Sequence, residues 1–214
     1  MIEIINLNKL KIMLSKELPG EDAQYKMAPK IRKEFAEQML KKGPARDSSI
    51  LILLYPKDNE LQTVFTERHA YEGVHSGQIS FPGGKKDEED IDFESTALRE
   101  AFEEMAIVPK DVNILGQLSD LLVPPSRFLI HPFIGYSEKR PDFIPQQSEV
   151  KSFFEVPLSL LQNPEIIKET ELKMANGELY KTPYYDLYGH IVWGATAMIV
   201  SEFLAVYQNI PLED

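Results

Sequence analysis

Residues 81–107 constrain this chain more than any other stretch; they read FPGGKKDEEDIDFESTALREAFEEMAI. The step Pro82-Gly83-Gly84 demands a tight change of direction. A run of acids follows, and then Glu100, Glu103 and Glu104 recur at spacings of three and four. On a helix those spacings put side chains on one face. Asp90 or Asp92 can cap the helix start, acids in the first turn suit its dipole, and Pro109 blocks its continuation. The pattern predicts a helix over residues 92–105. Clustered carboxylates raise one another's pKa unless a cation neutralises them, and an all-oxygen anionic face is what a hard divalent ion such as Mg²⁺ requires. On spacing alone, an acid-rich helix face is more often a solvated surface. The order strand, Pro-Gly-Gly, acids, Arg-Glu-x-x-Glu-Glu tips the balance toward a metal-dependent site for a phosphorylated substrate.

Composition narrows the alternatives. The 214 residues suffice for one sizeable domain, and 43% hydrophobic content provides a core. A net charge of −11 disfavours non-specific binding to nucleic acid or to an anionic membrane. It leaves room for an anionic substrate, because a bound metal reverses the local sign. The chain has no cysteine, which excludes disulfides, a thiolate nucleophile and zinc–sulfur ligation. The N-terminus lacks a signal-peptide pattern, and no run approaches the roughly 20 apolar residues of a membrane span. A cytoplasmic location is the expectation.

Along the chain, apolar positions predict an amphipathic helix over residues 6–18, and a second helix is expected over 31–42. Residues 49–55 (SILILLY) read as a buried strand, 56–59 as a turn and 61–67 as its hairpin partner. Strands are also expected over 78–81, 112–118, 128–136, 150–156, 184–188 and 190–191. Pro157 suits the first turn of a short helix. Asn176-Gly177 predicts a hairpin turn, and residues 196–210 a closing helix. Helices and strands mix without regular alternation, which indicates α+β or a helix–sheet–helix sandwich.

Diphosphate hydrolysis needs metal ions at the phosphates, an activated water and close approach of backbone to substrate. Glycine at Gly83 and Gly84 allows that approach. Arg99 is expected to point away from the acid face and to pair Asp87 or Asp90 as a fixed fork. The run Asp87-Glu88-Glu89-Asp90 lacks the alternating acids and central glycine of a calcium-binding EF-hand loop.

From Gly84 to Ile107 the residues resemble a Nudix box, G-x5-E-x7-R-E-U-x-E-E-x-G-U with U apolar. Arg99 to Ile107 match its second half. Asp90 takes the place of the first glutamate, one extra residue precedes Arg99, and Ala106 replaces the closing glycine. Upstream, Thr66-Glu67-Arg68 and the run from His75 to Gly84 are similar to the signature of the coenzyme A pyrophosphatase branch. In that branch an arginine commonly precedes the His-x-Gly-Gln segment; here the position is Gly73. Glu149-Val150, the run from Phe154 to Leu158 and the run from Ile191 to Ala197 look like its downstream segments.

The resemblance implies an α/β/α sandwich with a central mixed sheet. It divides the chain into a helical extension packed on the domain, residues 1–48, and a Nudix hydrolase domain, residues 49–214. It implies Mg²⁺- or Mn²⁺-dependent hydrolysis of a diphosphate in coenzyme A or acyl-coenzyme A, giving 3′,5′-ADP and (acyl-)4′-phosphopantetheine. The alternatives are the same chemistry on ADP-ribose, a dinucleotide or a nucleoside triphosphate, and a non-catalytic nucleotide sensor. Glu100, Glu103 and Glu104 carry over as metal ligands and, with Arg99, as the catalytic set. Arg68, His75, Gly83, Gly84, Lys85 and Arg127 are candidates for substrate binding, with Arg68 alternatively pairing an acid near the site, and Lys85, Lys86 or Arg127 able to stand in for the basic residue absent at Gly73. Glu149 is a candidate late-loop carboxylate, and His131 reads as structural. The expected partner is a small-molecule nucleotide, with a homodimer as a further association; neither nucleic acid nor membrane is expected.

Overall fold

The computed structural model describes residues 2–32, 44–69, 78–124, 126–173 and 177–210. Its centre is β1 (Arg46–Lys57), longer than the apolar run that announces it. Leu51, Leu53 and Tyr55 point to one side, Ile52 and Leu54 to the other, and all five are fully buried. A strand with an unbroken aliphatic run is what a sheet covered on both faces requires.

The chain turns back at Asp58 and Asn59, whose φ values of 54° and 65° suit a two-residue hairpin. β2 (Glu60–Arg68) then pairs antiparallel with β1. β3 (Ile79–Ser80) and β4 (Gly83–Lys85) follow, and β4 pairs antiparallel with β1. Beyond them lie β5 (Asn113–Gln117), β6 (Leu121–Val123), β7 (Phe128–Tyr136) and β8 (Val150–Pro157). β7 runs parallel to β1 with Ser49 opposite His131, and β8 is antiparallel to β2. The eight strands form one mixed sheet, ordered β3-β2-β1-β7-β5, with β4 on β1, β6 on β7 and β8 on β2.

Helices cover both faces. The early helices are α1 (Ile2–Leu14) and α2 (Gly20–Gln24). α3 (Phe93–Met105) lays Ala97, Ala101 and Met105 on Leu51, Leu53, Tyr55 and Val64. α4 (Leu158–Leu161) is a single turn that begins after Pro157. On the opposite face, α1 contributes Leu7, Leu10 and Leu14, and α5 (Gly194–Gln208) contributes Met198, Ile199 and Phe203. α1 ends four residues short of the expected helix, at Leu14. Close packing of α1 on β5 depends on Gly116, where a Cβ would stand 2.8 Å from the Leu14 Cβ. α2 is tied to α5 by the buried Glu202, which accepts from the Gly20 and Ser119 amides at 3.2 Å and from Gln24 Nε2 at 2.8 Å. A second sheet of β9 (Ile167–Lys173), β10 (Leu179–Leu187) and β11 (His190–Val192) adds Tyr185, Leu187 and Val192 to the same core.

β10 extends the strand expected over 184–188 back to Leu179, and the expected hairpin is present with Tyr180 opposite Leu172. Asn176, expected in its turn, lies outside the described residues, as does nearly all of the helix expected over 31–42. No helix among the described residues is long and apolar enough to cross a membrane.

Candidate active site

The Pro-Gly-Gly step enters the sheet directly as an edge segment. Leu51 donates its amide to the Pro82 carbonyl at 2.9 Å, Gly84 lies opposite Ser49, and the Lys86 amide reaches the Asp47 carbonyl at 3.1 Å. Each glycine is there for a different reason. A Cβ on Gly83 would stand 2.3 Å from the Ser49 carbonyl oxygen, and one on Gly84 would stand 2.3 Å from Oε2 of Glu100.

Asp92 opens α3 with a reciprocal cap: its Oδ1 accepts from the Ser95 amide at 2.7 Å, and its own amide donates to Ser95 Oγ at 3.0 Å. The helix closes at Ala106, held at φ 57° and ψ 28°. The left-handed conformation survives the missing glycine at the strain of a Cβ there.

Arg99 corrects one expectation. It forks onto Asp90, with Nε to Oδ1 and Nη2 to Oδ2 both at 2.9 Å, and stands 3.8 Å from Asp87. It also turns toward the acid face: Nη1 donates to Glu100 Oε1 and to Glu103 Oε2 at 3.0 Å each, and Nη2 to the Lys85 carbonyl at 3.0 Å. A planar guanidinium has enough donors in fixed directions to serve all of these acceptors. The aspartate and the extra residue together preserve the two-point fork. Arg99 holds the Asp90 carboxyl well below the usual carboxylate range; burial opposes, and the Asp87 amide and Thr96 hydroxyl assist.

The three glutamates occupy different surroundings. Glu103 is exposed, Glu100 is 14% exposed and Glu104 is 2% exposed. Glu104 accepts from Arg68 Nη2 at 2.9 Å and from the Gly83 amide at 3.1 Å, while Arg68 also donates to the Gly83 carbonyl at 3.0 Å. This ring ties the end of β2, the glycine step and the last turn of α3. Burial pushes Glu104 up to about 7; Arg68 and the Gly83 amide oppose this, and the charges of Glu100 and Glu149 add to it. Burial also raises Glu100, against Arg99 and with the charges of Glu103 and Glu149. The Glu149 amide bonds the Gln146 carbonyl at 3.0 Å and the Gln146 amide bonds the Glu104 carbonyl at 2.8 Å, which brings the Glu149 backbone to the last turn of α3.

The other sequence candidates fall in different places. Arg68, expected on substrate, spends its charge on Glu104. Lys85 is exposed beside Gly84, while Lys86 Nζ donates to the Asp90 carbonyl at 2.7 Å. Arg127 bonds the Pro44 carbonyl at 3.0 Å and precedes Phe128, which lies opposite Arg46. That row is roughly 10 Å along the sheet from the Ser49–Gly84 row, by strand rise. His75 and Gly73 lie outside the described residues. His131 is buried between Asp120 (2.8 Å) and Asp47 (3.1 Å) and stacks on Phe93, with ring centroids 3.6 Å apart.

Among the described residues, no three acidic or histidine groups converge closely enough to enclose a metal ion as they stand. Arg99 engages one oxygen each of Glu100 and Glu103, which leaves Oε2 of Glu100 and Oε1 of Glu103 for a cation. The donor set is all oxygen, and the raised proton affinity of Glu100 and Glu104 is the tension that a divalent cation relieves. The donor chemistry of these residues fits such an ion, and enclosing it requires their side chains to draw together.

The NUDIX domain family model matches residues 45–180. The chain belongs to the Nudix hydrolase family. Its relatives include the mitochondrial Nudix hydrolase 15 of Arabidopsis thaliana, 32% identical over 176 residues, which cover 78% of this chain and 60% of that protein. The Nudix hydrolase NudL of Pectobacterium atrosepticum is 36% identical over 150 residues, 69% of this chain and 76% of the relative. The peroxisomal coenzyme A diphosphatase NUDT7 of Mus musculus is 28% identical over 157 residues, 71% and 66% of the two chains. The chain thus spans 60% of the length of the Arabidopsis relative. Among solved structures, the Nudix hydrolase RenU of M. smegmatis superposes with a TM-score of 0.55 at 13% identity, covering 80% of this chain and 91% of that one. A MutT/Nudix family protein of Enterococcus faecalis gives 0.50 at 14%, covering 91% and 76%. At those identities the likeness concerns the Nudix fold, and it agrees with the mixed sheet between helices described above.

Of the two expectations for Arg68, a phosphate contact or a pair with an acid near the site, the structure shows the pair, and the partner that the sequence did not name is Glu104. Nothing in the spacing links a residue at a strand end to a glutamate 36 positions later. The available signal was the helical spacing that puts Glu104 with Ala97 and Ala101 on the apolar side of α3.

Proposed function

We propose that the chain is a metal-dependent Nudix pyrophosphohydrolase that cleaves a diphosphate linkage in a nucleotide derivative, with coenzyme A or acyl-coenzyme A as substrate. One observation carries this reading: Glu100, Glu103 and Glu104 stand on the helix that follows the glycine step, the first two joined by Arg99 and the third seated by Arg68 and Gly83. Glu100, Glu103 and Glu104, with Glu149 beside them, would hold Mg²⁺ or Mn²⁺. The ion, when bound, supplies charge neutralisation at the diphosphate and activation of water.

The chain's own groups do the rest. Arg99 fixes the orientation of Glu100 and Glu103 while its fork on Asp90 braces the turn before the helix. Arg68 and the Gly83 amide oppose the burial that raises the proton affinity of Glu104. Gly83 and Gly84 leave the backbone bare, so that a phosphate can approach closely. Lys85, which is exposed, follows that step directly in the chain. Glu100 takes the proton from the attacking water as a P–O bond forms and the anhydride P–O bond breaks, leaving two phosphate monoesters. For coenzyme A these are 3′,5′-ADP and 4′-phosphopantetheine. The segments resembling the coenzyme A branch and the likeness to the mouse coenzyme A diphosphatase support this choice of substrate.

The test is a substrate panel with Mn²⁺, read by chromatographic identification of products. Coenzyme A is expected to be hydrolysed at least tenfold more efficiently than ADP-ribose. A preference for ADP-ribose overturns the substrate. Nucleotide binding without metal-dependent turnover overturns the hydrolase in favour of a sensor.

A further inference from the structure

Glu149 ends an irregular segment, residues 137–149, that joins β7 to β8 and passes the last turn of α3. A carboxylate on such a segment adopts one place only if something pins the segment. Two sets of contacts do so. At the site end, the Ile144 amide donates to the Met105 carbonyl at 3.1 Å and the Gln146 amide to the Glu104 carbonyl at 2.8 Å. These satisfy carbonyls that the end of α3 would otherwise leave open. The Gln146 carbonyl accepts in turn from Glu149 and Val150 at 3.0 and 2.9 Å, and His69 Nε2 meets the Gln147 carbonyl at 3.0 Å.

At the far end stands a second cluster that the mechanism does not use. Arg140 forks onto Glu155 of β8, Nε to Oε2 at 2.8 Å and Nη2 to Oε1 at 2.9 Å. Glu155 also accepts from the hydroxyl of the fully buried Tyr55 at 2.8 Å and from Lys57 Nζ at 3.2 Å. The Arg140 guanidinium lies 5.0 Å from the centre of the Phe143 ring, which meets Tyr55 edge-on with centroids 5.5 Å apart. A bidentate pair that is also stacked on an aromatic ring has few alternative geometries. Tyr55 lies on β1 and Glu155 on β8, so the clamp references the segment to the rigid sheet that also carries the glycine step.

We propose that Arg140 and Glu155 are positioning residues for the site: their pair fixes where Glu149 stands relative to Glu100 and Glu104, and so sets the affinity for the divalent ion. The proposal rests on the metal-site reading above. Removing a residue that orients a metal ligand typically lowers metal affinity about 10–100-fold.

The test is a double-mutant cycle on Mn²⁺ affinity, measured by calorimetry on the full chain without substrate. Arg140→Met keeps an apolar side chain of similar length and removes the fork; Glu155→Gln removes the charge from the other side. Each is expected to weaken Mn²⁺ binding about tenfold. In a Glu149→Gln background each is expected to change it less than twofold, because the carboxylate being positioned is gone. Equal weakening in both backgrounds overturns the proposal and makes the clamp a general structural element. Unchanged affinity in both single variants also overturns it. A Glu103→Gln control separates the two readings: if it too leaves Mn²⁺ binding unchanged, the metal site itself fails. If Glu103→Gln weakens binding and the clamp variants do not, only the positioning role fails.

Discussion

Alanine at Gly83 and at Gly84 is expected to damage the protein in opposite ways, although the two residues are adjacent. At Gly84 the new Cβ would stand 2.3 and 2.6 Å from the carboxylate oxygens of Glu100 and 2.4 Å from the carboxylate carbon. Ordinary contact begins at 3.4 Å, so the carboxylate must retreat by about 1 Å. It is the far end of a side chain held by Arg99 rather than by backbone, so it can give way and the fold absorbs the change. The chemistry does not: a misplacement of about 1 Å at a reacting group costs on the order of 10²-fold, or about 2.7 kcal/mol of barrier. At Gly83 the Cβ would meet the Ser49 carbonyl oxygen at 2.3 Å and the Ile50 Cα at 2.7 Å, both backbone of the central strand. Neither can rotate away, so β4 must part from β1. Overpacking of this kind costs about 1–3 kcal/mol or more, and each kcal/mol lowers Tm by about 2–4 °C in a chain of this size. Thermal unfolding and Mn²⁺-dependent turnover, measured on both variants, decide the matter. Gly84→Ala should melt within about 2 °C of wild type and lose activity about 100-fold; Gly83→Ala should melt roughly 5–10 °C lower. Turnover within twofold of wild type for Gly84→Ala, or equal loss of stability in the two variants, refutes the reasoning.

Other consequences are equally open to measurement. Ala106→Gly removes a left-handed strain of about 1–2 kcal/mol, less about 0.5–1 kcal/mol for the freer unfolded chain, so Tm should rise by about 2 °C; a fall in Tm contradicts the strain. Arg99→Lys keeps the charge but cannot fork onto Asp90 while holding Glu100 and Glu103, and turnover should drop about tenfold or more; wild-type turnover contradicts the hub. His131 gives a pH signature. Burial opposes its charge, but the hydrogen bonds to Asp120 and Asp47 outweigh that and raise its pKa above the ordinary 6.5. A raised folded-state pKa means that the stabilisation is full below 6.5 and fades as pH rises through the folded value. The Tm gap between wild type and His131→Gln should therefore shrink on raising the pH, and a gap that grows reverses the sign of the effect.

Much of this site was legible in the residues because it is local. The step from Gly83 to Glu104 occupies one turn and one helix, and the periodicity of Glu100, Glu103 and Glu104 needs no tertiary knowledge. The layered fold was legible for a related reason: the aliphatic run in β1 requires cover on both faces. What stayed hidden is long-range. Arg68 can be expected to meet a phosphate or an acid, but Glu104 is identified as its partner only when β2 is placed beside the glycine step. Arg99 reads as turned away from the acid face because spacing fixes the direction of Cβ and not the reach of a long guanidinium. The short β6 has no pattern of its own and exists because β7 offers it an edge. Arg140 and Glu155, 15 positions apart, meet only because the segment between them doubles back over Tyr55.

The central claim is that the acid face of α3 works on a diphosphate through a divalent cation. The most direct measurement is turnover of coenzyme A by wild type and Glu103→Gln, with and without Mn²⁺, alongside thermal melts of both proteins. The expected result is metal-dependent release of 3′,5′-ADP by wild type and at least a tenfold loss in Glu103→Gln at unchanged Tm. Turnover that persists after chelation, or that survives the substitution, contradicts the claim.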